Sequence, residues 1–362
     1  MSERYIRDHI QDMQPYEPIL PLEILSEQLG LPISDIVKLD ANENPYGMPP
    51  KASERLANLQ YGHIYPDPDS RRLREKLSER FAIPLENLVA GSGADELIDL
   101  IVRLTMDPGQ SLINCPPTFG FYETVAAMNN VNIINVPRKP DFSLDLGGIR
   151  NAVKSGGKLI FLANPNNPDG SLLPVETVAG LLDLPVLVIL DEAYIDFSPP
   201  GAGWIDSVPA HENLIVLRTF SKWGGLAGIR LGYGAFPARL ASELMKIKPP
   251  YNVSVAATEA GLGALEDGEL LNHRRDLIVK EREHLYAALK TITWLEPYPT
   301  CANFILCKVL NTEAARLKAA LARRGVLIRY FRKPGLEDHV RISVGKPEDT
   351  DHLLKALKEC AP

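Results

Sequence analysis

From about residue 70 the apolar positions follow two alternating spacings. Short apolar runs, typical of buried strands, alternate with stretches in which apolar residues recur every three or four positions, as in amphipathic helices. The strands are predicted at 88–90, 111–115, 132–136, 158–163, 186–190 and 214–218, with helices at 72–81, 95–106 and beyond residue 119. The alternation indicates βαβ units, so it predicts an α/β fold with a mostly parallel sheet covered by helices on both faces.

After Gly232 the pattern changes to longer charged helices followed by shorter strands. The helices are predicted at 238–248, 253–263 and 269–290, and strands at 303–308, 326–330 and 340–344 are interleaved with helices at 312–323 and 347–358. This arrangement predicts a second, smaller α+β domain. We expect a large domain over residues 51–260 and a small domain over residues 261–362.

The first fifty residues are rich in proline, which interrupts helices. The prolines are Pro15, Pro18, Pro21, Pro32, Pro45, Pro49 and Pro50. We therefore expect residues 1–50 to form an extended arm without a continuous helix, together with part of the small domain.

Composition narrows the class of partner. The 362-residue chain has a net charge of -7 and a pI near 5.6, which gives no overall attraction for nucleic acid or anionic membranes.

The longest apolar run, residues 184–190, is far below the roughly 20 residues of a membrane helix. Residues 1–8 lack the apolar region of a secretory signal, so the expected location is cytoplasmic. The four cysteines and seven histidines have no disulfide or metal spacing. We expect a small-molecule partner and no metal.

Polar residues follow four of the predicted strands. In an open α/β sheet, ligands bind beyond the carboxyl ends of the strands. The segments are GSGADE at 91–96, NPNNPDG at 164–170, DEAY at 191–194 and TFSK at 219–222. Each has an ordinary alternative: a tight turn for the first two, a helix cap for Asp191 and a solvated surface lysine for Lys222.

Taken together, the four segments contain the groups that bind pyridoxal phosphate. Lys222 can hold the aldehyde as a Schiff base and act as the general base at the substrate Cα. Asp191 can pair with the pyridine nitrogen, and Asn167 and Tyr194 can donate to the phenolic oxygen. Phe119 can stack on the ring.

The phosphate of this cofactor also has candidate partners. A helix N-terminus offers free backbone N–H groups to an anion, here those of Ala94 and Asp95. Thr219 and Ser221 can add hydroxyls, and Arg230 can add a guanidinium.

These motifs resemble the histidinol-phosphate aminotransferase family of fold-type I. The resemblance runs nearly end to end. It is carried by KLDANENPYG (38–47), YPD (65–67), GADE (93–96), residues 164–170, DEAY (191–194), Ser221-Lys222 with Arg230 eight residues later, and RISVG (341–345). It implies an aminotransferase with pyridoxal phosphate, with Asp191, Tyr194, Asn167, Lys222 and Arg230 on the family's cofactor residues.

The resemblance has further consequences. Phe119 matches the stacking aromatic, which is more usually tyrosine. Tyr65 matches a residue that reaches the neighbouring subunit's cofactor phosphate, which implies a homodimer with shared active sites. Asp169 stands where the family usually has threonine, and we expect it to change a turn and not the chemistry.

Substrate choice depends on a second set of residues. Arg341 matches the arginine that binds the substrate carboxylate, and Arg329, on the preceding predicted strand, would add a second guanidinium suited to a phosphate. Asn44 lies in the matching KLDANENPYG segment, and Tyr16 matches a tyrosine of the family's N-terminal arm. Alternatively, Arg329 is a solvated strand residue and Tyr16 only packs on the protein body.

The implied reaction is amino transfer between L-histidinol phosphate and 2-oxoglutarate, giving imidazole acetol phosphate and glutamate in histidine biosynthesis. Threonine-phosphate decarboxylases share nearly all these motifs, and an aromatic or broad-specificity aminotransferase is a third reading. A non-enzymatic regulator that binds the cofactor is disfavoured, because no helix-turn-helix or basic segment precedes residue 40.

Overall fold

The computed structural model describes residues 5–11, 13 and 20–361, which form two β-sheets with helices packed around them. The strands are β1 (Val37–Leu39), β2 (Leu88–Gly91), β3 (Ser111–Asn114), β4 (Asn132–Asn135), β5 (Gly157–Ala163), β6 (Leu187–Asp191), β7 (Leu214–Thr219), β8 (Gly232–Ala235), β9 (Leu295–Pro297), β10 (Phe304–Val309), β11 (Val326–Tyr330) and β12 (His339–Ser343). The helices are α1 (Asp8–Gln11), α2 (Leu22–Leu29), α3 (Pro50–Ala57), α4 (Arg71–Phe81), α5 (Ala94–Thr105), α6 (Phe121–Met128), α7 (Leu146–Lys154), α8 (Val175–Leu182), α9 (Ala238–Ile247), α10 (Val255–Glu266), α11 (Gly268–Leu289), α12 (Ala314–Ala322) and α13 (Pro347–Glu359).

The larger sheet has seven strands in the order β2-β8-β7-β6-β5-β3-β4. Strand β8 is antiparallel to both of its neighbours, and the other six strands run in one direction. The prediction of an α/β fold with a mostly parallel sheet is therefore confirmed. Strand β8 was not predicted, because two of its four residues are glycine and glycine weakens the strand signal.

Both faces of this sheet are buried. Val188 and Leu190 of β6 belong to one apolar cluster and Ile189 between them belongs to another, as the alternation of side chains along a strand requires. Residues of α7 and α8 complete the first cluster, and residues of α5, α6 and α9 complete the second. The helices thus cover both faces and leave the strand ends as the place for a ligand.

The smaller sheet has five strands in the order β1-β11-β12-β10-β9. Its core contains Leu317, Leu321, Leu353 and Leu357 from α12 and α13. Strand β1, which was not predicted, comes from the N-terminal fifty residues and pairs in parallel with β11. The first and last parts of the chain therefore share one sheet.

The expectation of an extended arm is wrong over two short segments, because Asp8–Gln11 form α1 and Leu22–Leu29 form α2. Pro21 stands directly before the first helical residue, where its missing N–H costs no intrahelical hydrogen bond. In the described part of the chain, no helix is both long enough and apolar enough to cross a membrane.

Candidate active site

Two connected cavities lie at the carboxyl ends of the parallel strands. The smaller has a volume of about 250 Å³ and the larger about 720 Å³, and both are lined by Phe119, Asn167, Tyr194 and Lys222. The smaller cavity brings together every predicted cofactor residue except Tyr65. Those residues are Ala94, Asp95, Phe119, Asn167, Asp191, Tyr194, Thr219, Ser221, Lys222 and Arg230.

Asp191 is the last residue of β6 and is buried at the base of the smaller cavity. Its Oδ2 accepts a hydrogen bond of 2.7 Å from the Tyr122 hydroxyl, and its Oδ1 accepts one of 3.1 Å from the backbone N–H of Ala193. Burial raises the pKa of Asp191 to about 6, against the opposing effect of these hydrogen bonds. A cationic hydrogen-bond donor in the cavity would therefore stabilise the ionised form of Asp191.

Lys222 follows β7 and lines both cavities. Its Nζ donates to the carbonyl oxygen of Ala41 at 2.8 Å and lies 5.7 Å from the centre of the Tyr194 ring. Burial, with the positive charge of Arg341 as the second cause, lowers the pKa of Lys222 to about 8. A lysine with such a pKa is neutral often enough at physiological pH to act as a nucleophile or a base.

Tyr194 points its hydroxyl at the boundary between the cavities. That oxygen accepts a hydrogen bond of 3.1 Å from Asn42 Nδ2 and a long one of 3.5 Å from Asn167 Nδ2. Asn42 is itself held by Ser343, whose Oγ accepts from the Asn42 backbone N–H at 2.9 Å and donates to Asn42 Oδ1 at 2.7 Å. The Tyr194 O–H therefore remains able to donate into the cavity.

The opposite end of the smaller cavity is built for an anion. Helix α5 begins at Ala94, and no side chain caps its N-terminus. The hydroxyls of Thr219 and Ser221 lie 2.9 Å apart, and Arg230 reaches Asp95 at 2.8 Å. Gly93 leaves room for this guanidinium, because a Cβ at Gly93 would lie 2.7 Å from Arg230 Nη2.

The larger cavity reaches the smaller sheet, where Arg329 and Arg341 face each other as register partners of β11 and β12. Arg341 is buried, and it donates to Asn167 Oδ1 at 2.6 Å and to the Asp40 carbonyl at 2.9 Å. Both guanidinium groups lie within 6 Å of the Phe331 ring, at 5.7 Å and 5.6 Å. Among the described residues, no carboxylate forms an ion pair with Arg329. Both arginines line the larger cavity, so one anionic ligand there can contact both guanidinium groups.

The remaining charges of this cavity are mostly positive. Arg332 and Lys333 also line it, and Glu123 is the one carboxylate among the described lining residues. Glu123 pairs with Lys333 at 3.0 Å, which joins α6 to the segment after β11. His9 and Met13 from the N-terminal segment also line the cavity. The cavity thus carries a positive potential in a protein of net charge -7.

Several predicted site residues are placed elsewhere. Tyr65 is 79% exposed and stacks on Tyr251, with 4.6 Å between the ring centres, so it does not line a cavity of its own chain. Asn44 lies outside both cavities and donates to the carbonyl of Trp223 at 3.0 Å, next to Lys222. The predicted substrate residue Tyr16 lies outside the described residues.

Asp169 lies in the turn that presents Asn167. It is buried, and its carboxylate accepts hydrogen bonds from Asn166 Nδ2 and, at 3.0 Å, from the backbone N–H of Ser171. Asp169 does not line either cavity among the described residues. Its contacts are those of a residue that shapes the turn.

Tyr122 and Asn42 are the residues that sequence reasoning missed. Tyr122 lies within an apolar helical pattern and has the spacing of an ordinary core residue. Asn42 falls within the matching KLDANENPYG segment, which is the sequence signal that points to it. In the structure its φ is 56°, in the left-handed region that asparagine tolerates.

Comparison with known proteins defines the family. Residues 34–357 match the family described as Aminotransferase class I and II. The chain belongs to this family. Histidinol-phosphate aminotransferase 1, chloroplastic, of Arabidopsis thaliana is 50% identical over 361 residues, which are 99% of this chain and 86% of the relative. The histidinol-phosphate aminotransferase of Roseiflexus castenholzii is 49% identical over 365 residues, covering 98% of each protein.

A solved structure agrees with these relatives. The crystal structure of histidinol-phosphate aminotransferase from Sinorhizobium meliloti in complex with pyridoxal-5'-phosphate superposes on this chain with a TM-score of 0.89 and 29% sequence identity. The match covers 98% of this chain and 96% of the Sinorhizobium meliloti chain. The resemblance predicted from the sequence motifs is therefore confirmed, as is the fold-type I architecture.

Two features of the smaller cavity, one at each end, fit pyridoxal phosphate. The uncapped N-terminus of α5, with Thr219, Ser221 and Arg230 beside it, suits the phosphate. Asp191, buried and without an ion-pair partner among the described residues, suits the protonated ring nitrogen. The residues present therefore match both charged ends of this cofactor.

Proposed function

We propose that this protein is a pyridoxal-phosphate-dependent aminotransferase that exchanges the amino group between L-histidinol phosphate and 2-oxoglutarate. The products are imidazole acetol phosphate and glutamate, and the reaction belongs to histidine biosynthesis. The observation that carries the proposal is the direct opposition of Arg329 and Arg341 beside Lys222.

Two like charges directly opposite each other in a sheet destabilise it unless an anion lies between them. A monocarboxylate needs one guanidinium, whereas a phosphate dianion has oxygens for two. The amino donor would bind with its phosphate at Arg329 and Arg341, and Arg341 would bind the carboxylate of glutamate when that substrate takes its place. The relatives at about 50% identity, which are named as histidinol-phosphate aminotransferases, support this substrate.

The roles of the cofactor residues follow from their contacts. When bound, pyridoxal phosphate supplies an electron-withdrawing ring that takes up the electron pair released at the substrate Cα. Asp191 would hold the ring nitrogen, Phe119 would cover the ring face, and Asn167 and Tyr194 would donate to the phenolic oxygen. Ala94, Asp95, Thr219, Ser221 and Arg230 would bind the phosphate through backbone N–H groups, hydroxyls and the guanidinium.

Lys222 would attach the cofactor through Nζ and afterwards move the proton at the substrate Cα. Its lowered pKa, about 8, supports both roles, because only the neutral amine is a nucleophile or a base. Arg341 would hold the substrate so that the Cα–H bond faces Nζ. His9 and Met13 of the N-terminal segment line the larger cavity and would cover the substrate and exclude water.

The assembly we propose is a homodimer with shared active sites. Tyr65 would reach the cofactor phosphate of the partner subunit, which accounts for its exposure on the surface of its own chain. Tyr61 and Ile64, at 62% and 52% exposure, extend the same apolar surface. We further propose a division into an arm with part of the small domain (1–50), a large domain (51–260) and a small domain (261–362), and a cytoplasmic location.

The test is a panel of amino donors with 2-oxoglutarate as the acceptor. We expect stoichiometric glutamate from histidinol phosphate, and much slower turnover of phenylalanine and tyrosine, which lack the phosphate. Release of carbon dioxide from threonine phosphate, with histidinol phosphate untouched, would identify a decarboxylase and overturn the proposal.

A further inference from the structure

Tyr122 touches two residues that we predict to contact the cofactor ring, Asp191 and Phe119, although Tyr122 itself lines neither cavity. It is fully buried on α6, and its hydroxyl donates to Asp191 Oδ2 at 2.7 Å. Its ring lies parallel to Phe161, with centres 4.8 Å apart and planes at 8°. Its other neighbour is Phe119, whose ring centre lies 5.5 Å away in an edge-on arrangement at 87°. One side chain thus contacts both Asp191 and Phe119.

The carboxylate of Asp191 has few other partners. Besides Tyr122, the one hydrogen-bond donor to this carboxylate among the described residues is the backbone N–H of Ala193, at 3.1 Å. The charged groups facing it are Lys222 after β7, which attracts it, and Asp95 on α5, which repels it. Tyr194 is the other titratable neighbour. Because burial disfavours the ionised carboxylate, the loss of one of its two hydrogen-bond donors destabilises that ionised form considerably.

The Phe161 stack explains why the hydroxyl has one position. A tyrosine side chain has two torsions, and the stack on Phe161 together with the edge-on contact with Phe119 restricts both in this fully buried residue. The hydroxyl is therefore held at Oδ2, which leaves the remaining lone pairs of Asp191 directed at the cavity.

We propose that Tyr122 is a positioning residue of this aminotransferase: its hydroxyl holds Asp191 in the orientation and the ionised state that the ring nitrogen of the cofactor requires, and its ring supports Phe119. The proposal rests on the proposed function for the identity of the cofactor, and it is independent of the substrate.

The test uses the full-length chain and Tyr122→Phe, which keeps the ring and removes the hydroxyl. The Asp191 carboxyl is followed by 13C NMR during a pH titration of the cofactor-free protein, with Asp191→Asn assigning the resonance. We expect the midpoint to rise by about one to two pH units, because a donor to the ionised form is lost. Equilibrium binding of pyridoxal phosphate should weaken by about 10-fold to 100-fold, as for one hydrogen bond to a charged group.

Tyr194→Phe is the matched control, since it also removes a buried hydroxyl from this region. Its hydroxyl contacts Asn42 and Asn167 and not Asp191. We therefore expect the Asp191 midpoint to stay at the wild-type pH in Tyr194→Phe. A merely structural role for Tyr122 would move thermal stability and leave the Asp191 midpoint unchanged, and that result would overturn the proposal.

A second variant covers the case in which Tyr122→Phe does not fold. Site-specific 3-fluorotyrosine at position 122 keeps the hydroxyl and makes it a stronger donor, so the Asp191 midpoint should fall. A midpoint that is unchanged or raised would contradict the proposal. These readouts do not involve histidinol phosphate, so a different substrate would overturn the proposed function alone.

Discussion

Arg329 on β11 and Arg341 on β12 are direct partners across an antiparallel strand pair, with Phe331 within 6 Å of both guanidinium groups. Like charges in this register repel each other and lower the stability of the free protein. An anion bound between them removes that repulsion. The arrangement that lowers the stability of the free protein is therefore the same one that favours binding of an anionic substrate.

Substituting Arg329→Leu should have opposite effects on stability and on activity. Without anions, the free energy of unfolding should rise by up to about 1 kcal/mol as the repulsion is lost. The kcat/KM for histidinol phosphate should fall by about 10-fold to 100-fold, as for loss of hydrogen bonds to a charged group. Urea unfolding in phosphate-free buffer and steady-state kinetics measure the two effects. Arg323→Leu, at the exposed end of α12, is the control and should change neither. Loss of stability together with unchanged kinetics would contradict the assignment.

The pKa of Lys222 should govern how fast the cofactor attaches. Only the neutral amine reacts, so the rate of reconstitution with pyridoxal phosphate should increase with pH through a midpoint near 8. Arg341→Met removes a positive charge that lowers this pKa, so the midpoint should move to higher pH. Stopped-flow absorbance measures the rate. Lys222→Ala should give no borohydride-trapped adduct, and an adduct at another lysine would refute the role of Lys222.

The buried ion pair beside Asp191 should matter far more for stability than an exposed one. Glu192 is fully buried and accepts from Arg218 Nε at 2.9 Å and Nη2 at 2.8 Å. Arg218→Met leaves this carboxylate without its cation and should cost about 3–5 kcal/mol of unfolding free energy. Chemical denaturation measures the loss, and the double variant Arg218→Met/Glu192→Met should recover part of it. For the exposed pair Arg316–Glu313, Arg316→Met should cost less than about 1 kcal/mol.

Shared active sites predict complementation between two inactive variants. Lys222→Ala lacks the amine, and Tyr65→Ala lacks the predicted contact to the partner's cofactor phosphate. A mixed dimer would contain one site with both wild-type residues, so random reassociation should restore about a quarter of the wild-type activity. Kinetic assays after unfolding and joint refolding test this, with each variant refolded alone as the control. No recovery in a protein that sediments as a dimer would exclude the shared-site role of Tyr65.

The strand-end residues were predictable because of a general property of parallel sheets. Asp191, Lys222 and Asn167 are separated by up to 55 residues in sequence. Each lies at or just after the carboxyl end of a strand of one sheet, and these ends meet at one edge. The prediction failed where local signals mislead: α2 lies between prolines, β8 is half glycine, and Tyr122 has the spacing of an ordinary core residue.

The sequence by itself determined the α/β class, the family and ten of the residues that line the smaller cavity, because these depend on periodicity and on chain position relative to strands. The tertiary structure decided which side chains contact each other. The opposition of Arg329 and Arg341 depends on the register of β11 and β12, and the contact of Tyr122 with Asp191 depends on how α6 packs on the sheet. Register and packing are set by contacts between distant segments, which spacing along the chain does not encode.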